Sequence, residues 1–164
     1  MLTRTATTRH TVLGTRLGEL TFVRDEGRLT GLYFPHHWGR PDRAMFGPRD
    51  DAGFDDVAVQ LREYLEGARR AFDVPVEPRG SDLDLAVWAI IGQIPYGQTA
   101  SYGAIARRLG GVSAQEVGAA TGRNPLCILV PCHRVVGSTG KLTGYAGGLA
   151  RKRTLLNLEQ RPLR

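Results

Sequence analysis

The apolar run Ile128-Leu129-Val130 ends on a proline, and a cysteine follows that proline. Short β-branched runs of this kind read as buried core strands. Pro131 has no N–H to give a ladder, so it ends the strand and leaves Cys132 at a turn. His133 and Arg134 come next. They give the thiol apolar walls and a basic neighbourhood, the setting that favours thiolate. Adjacent side chains do not face each other in a strand or a helix. Proton transfer from Cys132 to His133 therefore needs a water or a sharp turn. Taken alone, the pair also reads as a buried structural cysteine beside a solvent-facing histidine.

A chain of 164 residues suffices for one large domain or two small ones sharing a core. No apolar run approaches the ~20 residues needed to cross a bilayer. The start, Met1 to His10, is polar and threonine-rich and carries no signal-peptide core. Cys127 and Cys132 are the only cysteines, and the strand-like stretch between them disfavours a disulfide. A reactive thiol suits the reducing cytoplasm, which is the expected location. The net charge of +6 is unevenly placed. Residues 1–81 hold 12 Arg and 12 Asp plus Glu; residues 82–164 hold 10 Lys plus Arg against 4 Asp plus Glu. The excess points to a polyanion partner for the C-terminal half, or to plain solubilising charge.

The first third reads as an antiparallel β meander: Thr11 to Leu13, Glu19 to Val23 and Leu29 to Phe34, with turns at Gly14 to Gly18 and Asp25 to Gly27. Pro35 to Gly53 is polar and rich in Gly, Pro and Arg, and reads as a mobile loop. His10, His36 and His37 lack a third ligand at recognisable spacing, so no metal is expected. A helix begins at Asp55 with Val57, Leu61, Tyr64 and Leu65 on one face and stops at Gly67. Ala71 to Val74 is strand-like. Residues 1–76 thus form one unit, 77–81 a linker, and 82–164 a second unit. Ser81 caps a helix running to Ile91, with Trp88 in the core. Ser101 caps another whose apolar face is Tyr102, Ile105, Ala106 and Leu109, stopped by Gly110-Gly111. Ser113 and Glu116 match a capping box that opens a third helix, rich in Gly and Ala and ended by Gly122. The pair is a helix-turn-helix candidate, and its thin second helix could enter a minor groove or serve close packing.

Several of these segments occur together in one known pattern. Gly122-Arg123-Asn124-Pro125, seven residues on Cys132-His133-Arg134-Val135, then Leu142-Thr143-Gly144-Tyr145-Ala146-Gly147-Gly148, Arg151-Lys152-Arg153 and Leu158-Glu159 resemble the O6-alkylguanine-DNA alkyltransferase family. The match runs without gaps from Tyr102 to Glu159, and weaker similarity reaches back through Ile94-Pro95-Tyr96-Gly97, Trp88 and the N-terminal strands. The resemblance implies a two-domain α/β fold. Its N-terminal part is a ribonuclease-H-like antiparallel sheet with a helix. Its C-terminal part is mostly helical and winged-helix-like, with a helix-turn-helix and the active-site cysteine. The implied activity is single-turnover transfer of the O6-alkyl group of guanine to Cys132. No cofactor is implied, and the expected partner is double-stranded DNA containing O6-alkylguanine, bound by a monomer. Some family members carry zinc in the N-terminal part, but this chain lacks those cysteines.

Under that resemblance His133 takes the thiol proton through a water, and Glu159 holds the imidazole's tautomer. Asn124 is a hinge bracing the recognition helix against the active-site strand. Tyr102 crowds the target phosphate and hydrogen-bonds guanine N3; by residue pattern alone it also reads as a core tyrosine at a helix start. Tyr145 and Ala146 supply a pocket loop, Val135 a carbonyl that reads the exocyclic amine, and Cys127 a pocket wall that an alkyl group could reach. Ser101, Gly118 and Arg123 fall on the expected DNA side. The target base must leave the duplex to meet Cys132. Two positions depart from the pattern. Gln115 stands where the family places an intercalating arginine, and Asp82 and Asp84 stand where a nearby phosphate would be repelled. One alternative keeps the reactive cysteine but takes a non-DNA, small-molecule alkylated substrate. Another is a lesion-binding protein without transfer, against which Cys132 itself argues.

Overall fold

The computed structural model describes residues 7–37 and 39–160. Most of the N-terminal stretch read for a signal peptide, and three of the counted arginines, Arg4, Arg161 and Arg164, lie outside the described residues. Three strands, β1 (Arg9–Thr15), β2 (Gly18–Asp25) and β3 (Arg28–Tyr33), form an antiparallel sheet in the order β1-β2-β3. Register runs through Val12↔Thr21 and Phe22↔Leu32, with a bulge at Val23/Arg24. Leu20, Phe22, Leu29 and Leu32 are fully buried under helix α1 (Asp55–Leu65), whose Val57, Leu61, Tyr64 and Leu65 form the facing stripe. This is the meander-plus-helix that the alternating and 3.6-residue patterns predict.

The second half is helical: α2 (Asp82–Ile91), α3 (Tyr102–Leu109), α4 (Ala114–Gly122) and α5 (Leu149–Glu159). Each of the three predicted serine caps is made: Ser81 accepts from Asp84 N–H, Ser101 from Ala104 N–H and Ser113 from Glu116 N–H, at 3.0–3.1 Å. Each such cap is worth about 1 kcal/mol. The Trp88 indole donates to the Ala120 carbonyl at 2.8 Å and ties α2 to α4. Two very short strands, β4 (Ala100–Ser101) and β5 (Val135–Val136), pair in parallel and fasten the start of α3 to the residues just past Cys132. A continuous apolar core runs from Phe22 and Leu32 through Tyr64 to Val117, Val135 and Leu155. The two-domain α/β arrangement therefore has one shared interior.

Three expectations are corrected. Pro35 to Gly53 is anchored rather than loose. It contains two short 3-10 turns, Arg43–Phe46 and Ala52–Phe54, and Phe46 is buried with its ring stacked on Tyr33. His10 exchanges backbone bonds with Pro48 and Asp50, and its Nδ1 meets the Gly47 carbonyl at 2.8 Å. Ala71 to Val74 is not a strand, because the Gln60 amide occupies both the N–H and the C=O of Asp73. Ile128 to Val130 is a turn, with Ile128 at φ 73°. The Asn124 amide closes it from both ends, accepting from Leu126 N–H and donating to the Val130 carbonyl, each at 2.9 Å. A β-branched residue in left-handed backbone costs roughly 1–3 kcal/mol, so the buried amide contacts and packing must offset that cost.

Candidate active site

Pro131 and the turn before it set Cys132 at the start of a 3-10 turn, Cys132–Arg134. Cys132 is almost wholly buried, yet it lines a cavity of about 570 Å³ bounded by α4 and the loop leading to α5. Tyr102, Gln115, Gly118, Tyr145 and Ala146 line the same cavity. The 3-10 turn rotates successive side chains apart, so His133 points away into the interior, where none of it is exposed. Its Nε2 lies 2.7 Å from Glu159 Oε2. A carboxylate accepts only, so Nε2 carries the proton and Nδ1 is the basic nitrogen. Nδ1 has no protein hydrogen-bond partner among the described residues.

Glu159 collects donors from three directions. Arg134 binds it through Nε at 2.8 Å and Nη2 at 2.9 Å, Tyr64 Oη donates at 2.5 Å, and Gly97 N–H reaches Oε1 at 3.4 Å. Burial pushes this carboxyl up, but the bonds from His133, Arg134 and Tyr64 prevail and bring it down to about 2. Burial also keeps the His133 imidazole below its ordinary pKa, although Glu159 pulls the other way. His133 is therefore a neutral base near pH 7. Gly97 sits at φ 80°, and a Cβ there would stand 3.2 Å from the Glu159 carbonyl.

The Cys132 thiol lies below the usual thiol range. A hydrogen bond from the Cys127 thiol is the largest cause; the Asn124 side chain and the Lys152 charge add to it, and burial opposes them. Lys152 is fully buried on α5 and donates from Nζ to the carbonyls of Val135 (2.7 Å) and Thr143 (2.9 Å). An unpaired buried ammonium would be prohibitive, and these two acceptors make it tolerable.

Family models match nearly the whole chain. Residues 8–78 fit the ribonuclease-like domain of 6-O-methylguanine DNA methyltransferase, and residues 82–161 fit its DNA-binding domain. The chain belongs to the 6-O-methylguanine DNA methyltransferase family. A methylated-DNA–protein-cysteine methyltransferase of Mycobacterium tuberculosis is 44% identical over 88% of this chain and 87% of its own. An inducible relative from Bacillus subtilis is 51% identical over 68% of this chain and 63% of its own. The crystal structure of Mycobacterium tuberculosis OGT in complex with DNA superposes with a TM-score of 0.88 at 42% identity, covering 93% of each chain.

Within this family member, the residues expected at the site fall into two groups. Cys132, Tyr102, Gln115, Gly118, Tyr145 and Ala146 share the cavity, while His133, Glu159 and Asn124 stand behind the cysteine. Four expected residues are elsewhere. Cys127 is fully buried behind Cys132 and lines no part of this cavity. Val135 is also absent from the lining, and its carbonyl is engaged by Lys152. Ser101 is a helix cap. Arg123 is held by Asp84 through two bonds of 2.6 and 2.9 Å. That pair also corrects the repulsion expected from Asp84, because its charge is buried, neutralised and used to cap α2.

Tyr64, Lys152 and Thr143 were given no site role by sequence, and Arg134, read there as a basic neighbour of the thiol, is bound to Glu159. Lys152 did leave a signal: it falls in helical phase with Leu155 and Glu159, so an apolar stripe carries a lysine. Thr143 donates to Tyr102 Oη at 3.0 Å, which fixes that phenol at the cavity edge. Tyr64 carried no signal beyond its place on a core-facing stripe. Among the described residues no group of three His, Cys, Asp or Glu could hold a metal, and no helix is long and apolar enough to cross a membrane.

Proposed function

We propose that this chain removes the O6-alkyl group from guanine in double-stranded DNA and keeps it on Cys132, once per molecule and without a cofactor. The observation that carries this reading is the cavity-lining cysteine backed by a buried base of defined tautomer. His133 Nδ1 takes the Cys132 proton through a water, and Glu159 stabilises the resulting imidazolium. The thiolate attacks the alkyl carbon in line, a C–S bond forms, and the carbon–O6 bond breaks with its electrons going to guanine. Tyr102 accepts from Thr143, which leaves its own proton free to be donated to the departing base. Tyr145 and Ala146 shape the pocket for the extruded base. The M. tuberculosis relative crystallised in complex with DNA supports a DNA substrate.

Gln115 sits exposed at the first turn of α4, on the lip of the cavity. A glutamine there fills the space of a flipped base without the charge or reach of arginine, so extrusion is weaker while the thiol chemistry is intact. The same residue favours a second reading, in which the pocket serves a small alkylated molecule that needs no flipping. Intact-mass measurement after incubation with duplex DNA containing O6-methylguanine separates the two. One methyl per protein, mapped to the Cys132 peptide and lost in Cys132→Ser, supports DNA repair. Alkylation by free O6-benzylguanine with none from the duplex supports the small-molecule reading.

A further inference from the structure

Cys127 and Cys132 are brought towards each other by the backbone between them. Leu129 N–H bonds to the Cys127 carbonyl and Val130 N–H to the Leu126 carbonyl, both at 2.9 Å, and Cys132 N–H bonds to the Val130 carbonyl at 2.7 Å. With Ile128 in left-handed backbone, these bonds fold the segment back on itself. This fold-back sets the two thiols near enough for each to shift the other's ionisation. Both are free, and only Cys132 opens onto the cavity.

We propose that Cys127 is a resolving thiol: when a hydroperoxide oxidises Cys132, Cys127 closes a reversible disulfide with it that shields the acceptor sulfur from irreversible oxidation.

The steps balance with hydrogen peroxide as oxidant. The Cys132 thiolate attacks one peroxide oxygen, the O–O bond breaks, and the departing hydroxide takes a proton to give water, leaving a sulfenic acid. The Cys127 sulfur then attacks the sulfenic sulfur. An S–S bond forms, the S–O bond breaks, and the Cys127 proton leaves with the hydroxide as a second water. Two hydrogens are lost from the protein and one peroxide is reduced.

The order of events follows from the two environments. Peroxide reaches Cys132 through the cavity, while Cys127 is fully buried. Cys132 holds the more acidic thiol, so it is the one oxidised. Cys127 is held well above the ordinary range, first by its hydrogen bond to Cys132, then by burial and by the charge of Cys132. Converting the Cys132 thiolate to a neutral sulfenic acid removes that charge and weakens that bond. The resolving thiol is therefore released for attack only after the first thiol has been oxidised. Transfer of an alkyl group from guanine has no use for this second sulfur as a nucleophile.

The test treats the full-length protein with hydrogen peroxide and reads mass, which does not depend on the DNA reaction. Non-reducing intact mass should show the loss of two hydrogens, and peptide mapping should show Cys127 linked to Cys132. Benzyl transfer from free O6-benzylguanine should be lost and then regained after dithiothreitol. Cys127→Ser and Cys127→Ala, each compared with its own untreated rate, should instead gain two or three oxygens on Cys132 and stay inactive after dithiothreitol. A wild type that shows no linked peptide and accumulates oxygens on Cys132 overturns the proposal. So does recovery with dithiothreitol that is equal in wild type and both variants.

Discussion

Tyr64 Oη donates to Glu159 Oε2 at 2.5 Å, so a side chain from the N-terminal helix ends on the carboxylate that orients the active-site histidine. The Tyr64 phenol is buried, its pKa raised by burial and by Glu159, and it stays protonated as a donor. Replacing it with phenylalanine removes one of the bonds that hold Glu159 ionised. A less stabilised carboxylate is more basic, and His133 then keeps its proton to higher pH. In Tyr64→Phe the acid limb of the rate–pH profile for O6-benzylguanine should move up in pH. Near about pH 6 the rate should fall roughly tenfold, equivalent to about 1.4 kcal/mol, with a smaller loss at about pH 8. An equal loss at every pH would mean that Tyr64 only packs.

Chemistry and base extrusion should come apart at Gln115. The thiol, its base and its carboxylate are all in place behind the cavity, whereas the residue on the lip lacks the arginine charge. Gln115→Arg should speed reaction with methylated duplex DNA by roughly tenfold, about 1.4 kcal/mol of recovered stabilisation. The rate with free O6-benzylguanine should hardly change. Glu116 must stay, since its carboxylate accepts from Ser113 N–H at 2.7 Å and caps α4. Single-turnover kinetics with both substrates decide this, and a duplex rate unaltered by the arginine would count against it.

Acid should destabilise the fold through buried neutral histidines. His37 is buried, and burial with Arg40 nearby lowers its pKa from 6.5 to about 4. The unfolded chain therefore binds the proton more readily below pH 6.5, and stability rises with pH through this window. His133 is lowered as well and acts in the same direction. Urea midpoints should fall between pH 6.5 and about 4, with His37 contributing at most about 1.4 kcal/mol per pH unit. His37→Gln should flatten that dependence; an unchanged slope would show that His37 is not the group responsible.

Arg123→Ala should act on stability before it acts on DNA. Its partner Asp84 is buried, although the arginine is about half exposed, with 46% of its side chain accessible. Loss of the pair leaves a poorly solvated carboxylate, which solvent screening limits to about 1 kcal/mol. The urea midpoint should drop while the salt dependence of duplex binding stays the same. A reduced salt slope would instead identify Arg123 as a phosphate contact.

Much of this was readable from the residues, and the failures share a cause. Helix caps depend on neighbours three residues apart, so Ser81, Ser101 and Ser113 could be read directly. The strands of the meander and the stripe of α1 follow from period alone. Ile128 to Val130 misled because the residue that bends it, Asn124, acts through a side-chain amide that no apolar pattern reports. Asp84 misled for a related reason: its countercharge, Arg123, comes from the far end of α4. The charge excess of the C-terminal half was likewise only partly a surface property, since Arg134 and Lys152 are buried and satisfied by protein oxygens. Cys132, His133 and Glu159 could be named through resemblance, but Tyr64 could not be placed beside them without the packed interior.

Glu159 lies 26 residues beyond His133, in the last turn of α5. Lys152, whose charge lowers the thiol's pKa, belongs to the same helix. On the ribosome, Cys132 is therefore made well before the groups that sharpen it. Until α5 docks, the histidine lacks its carboxylate and the sulfur lacks its nearby cation, so the emerging thiol is less activated than the folded one. The acceptor sulfur in this way reaches its full reactivity only once α5 is in place.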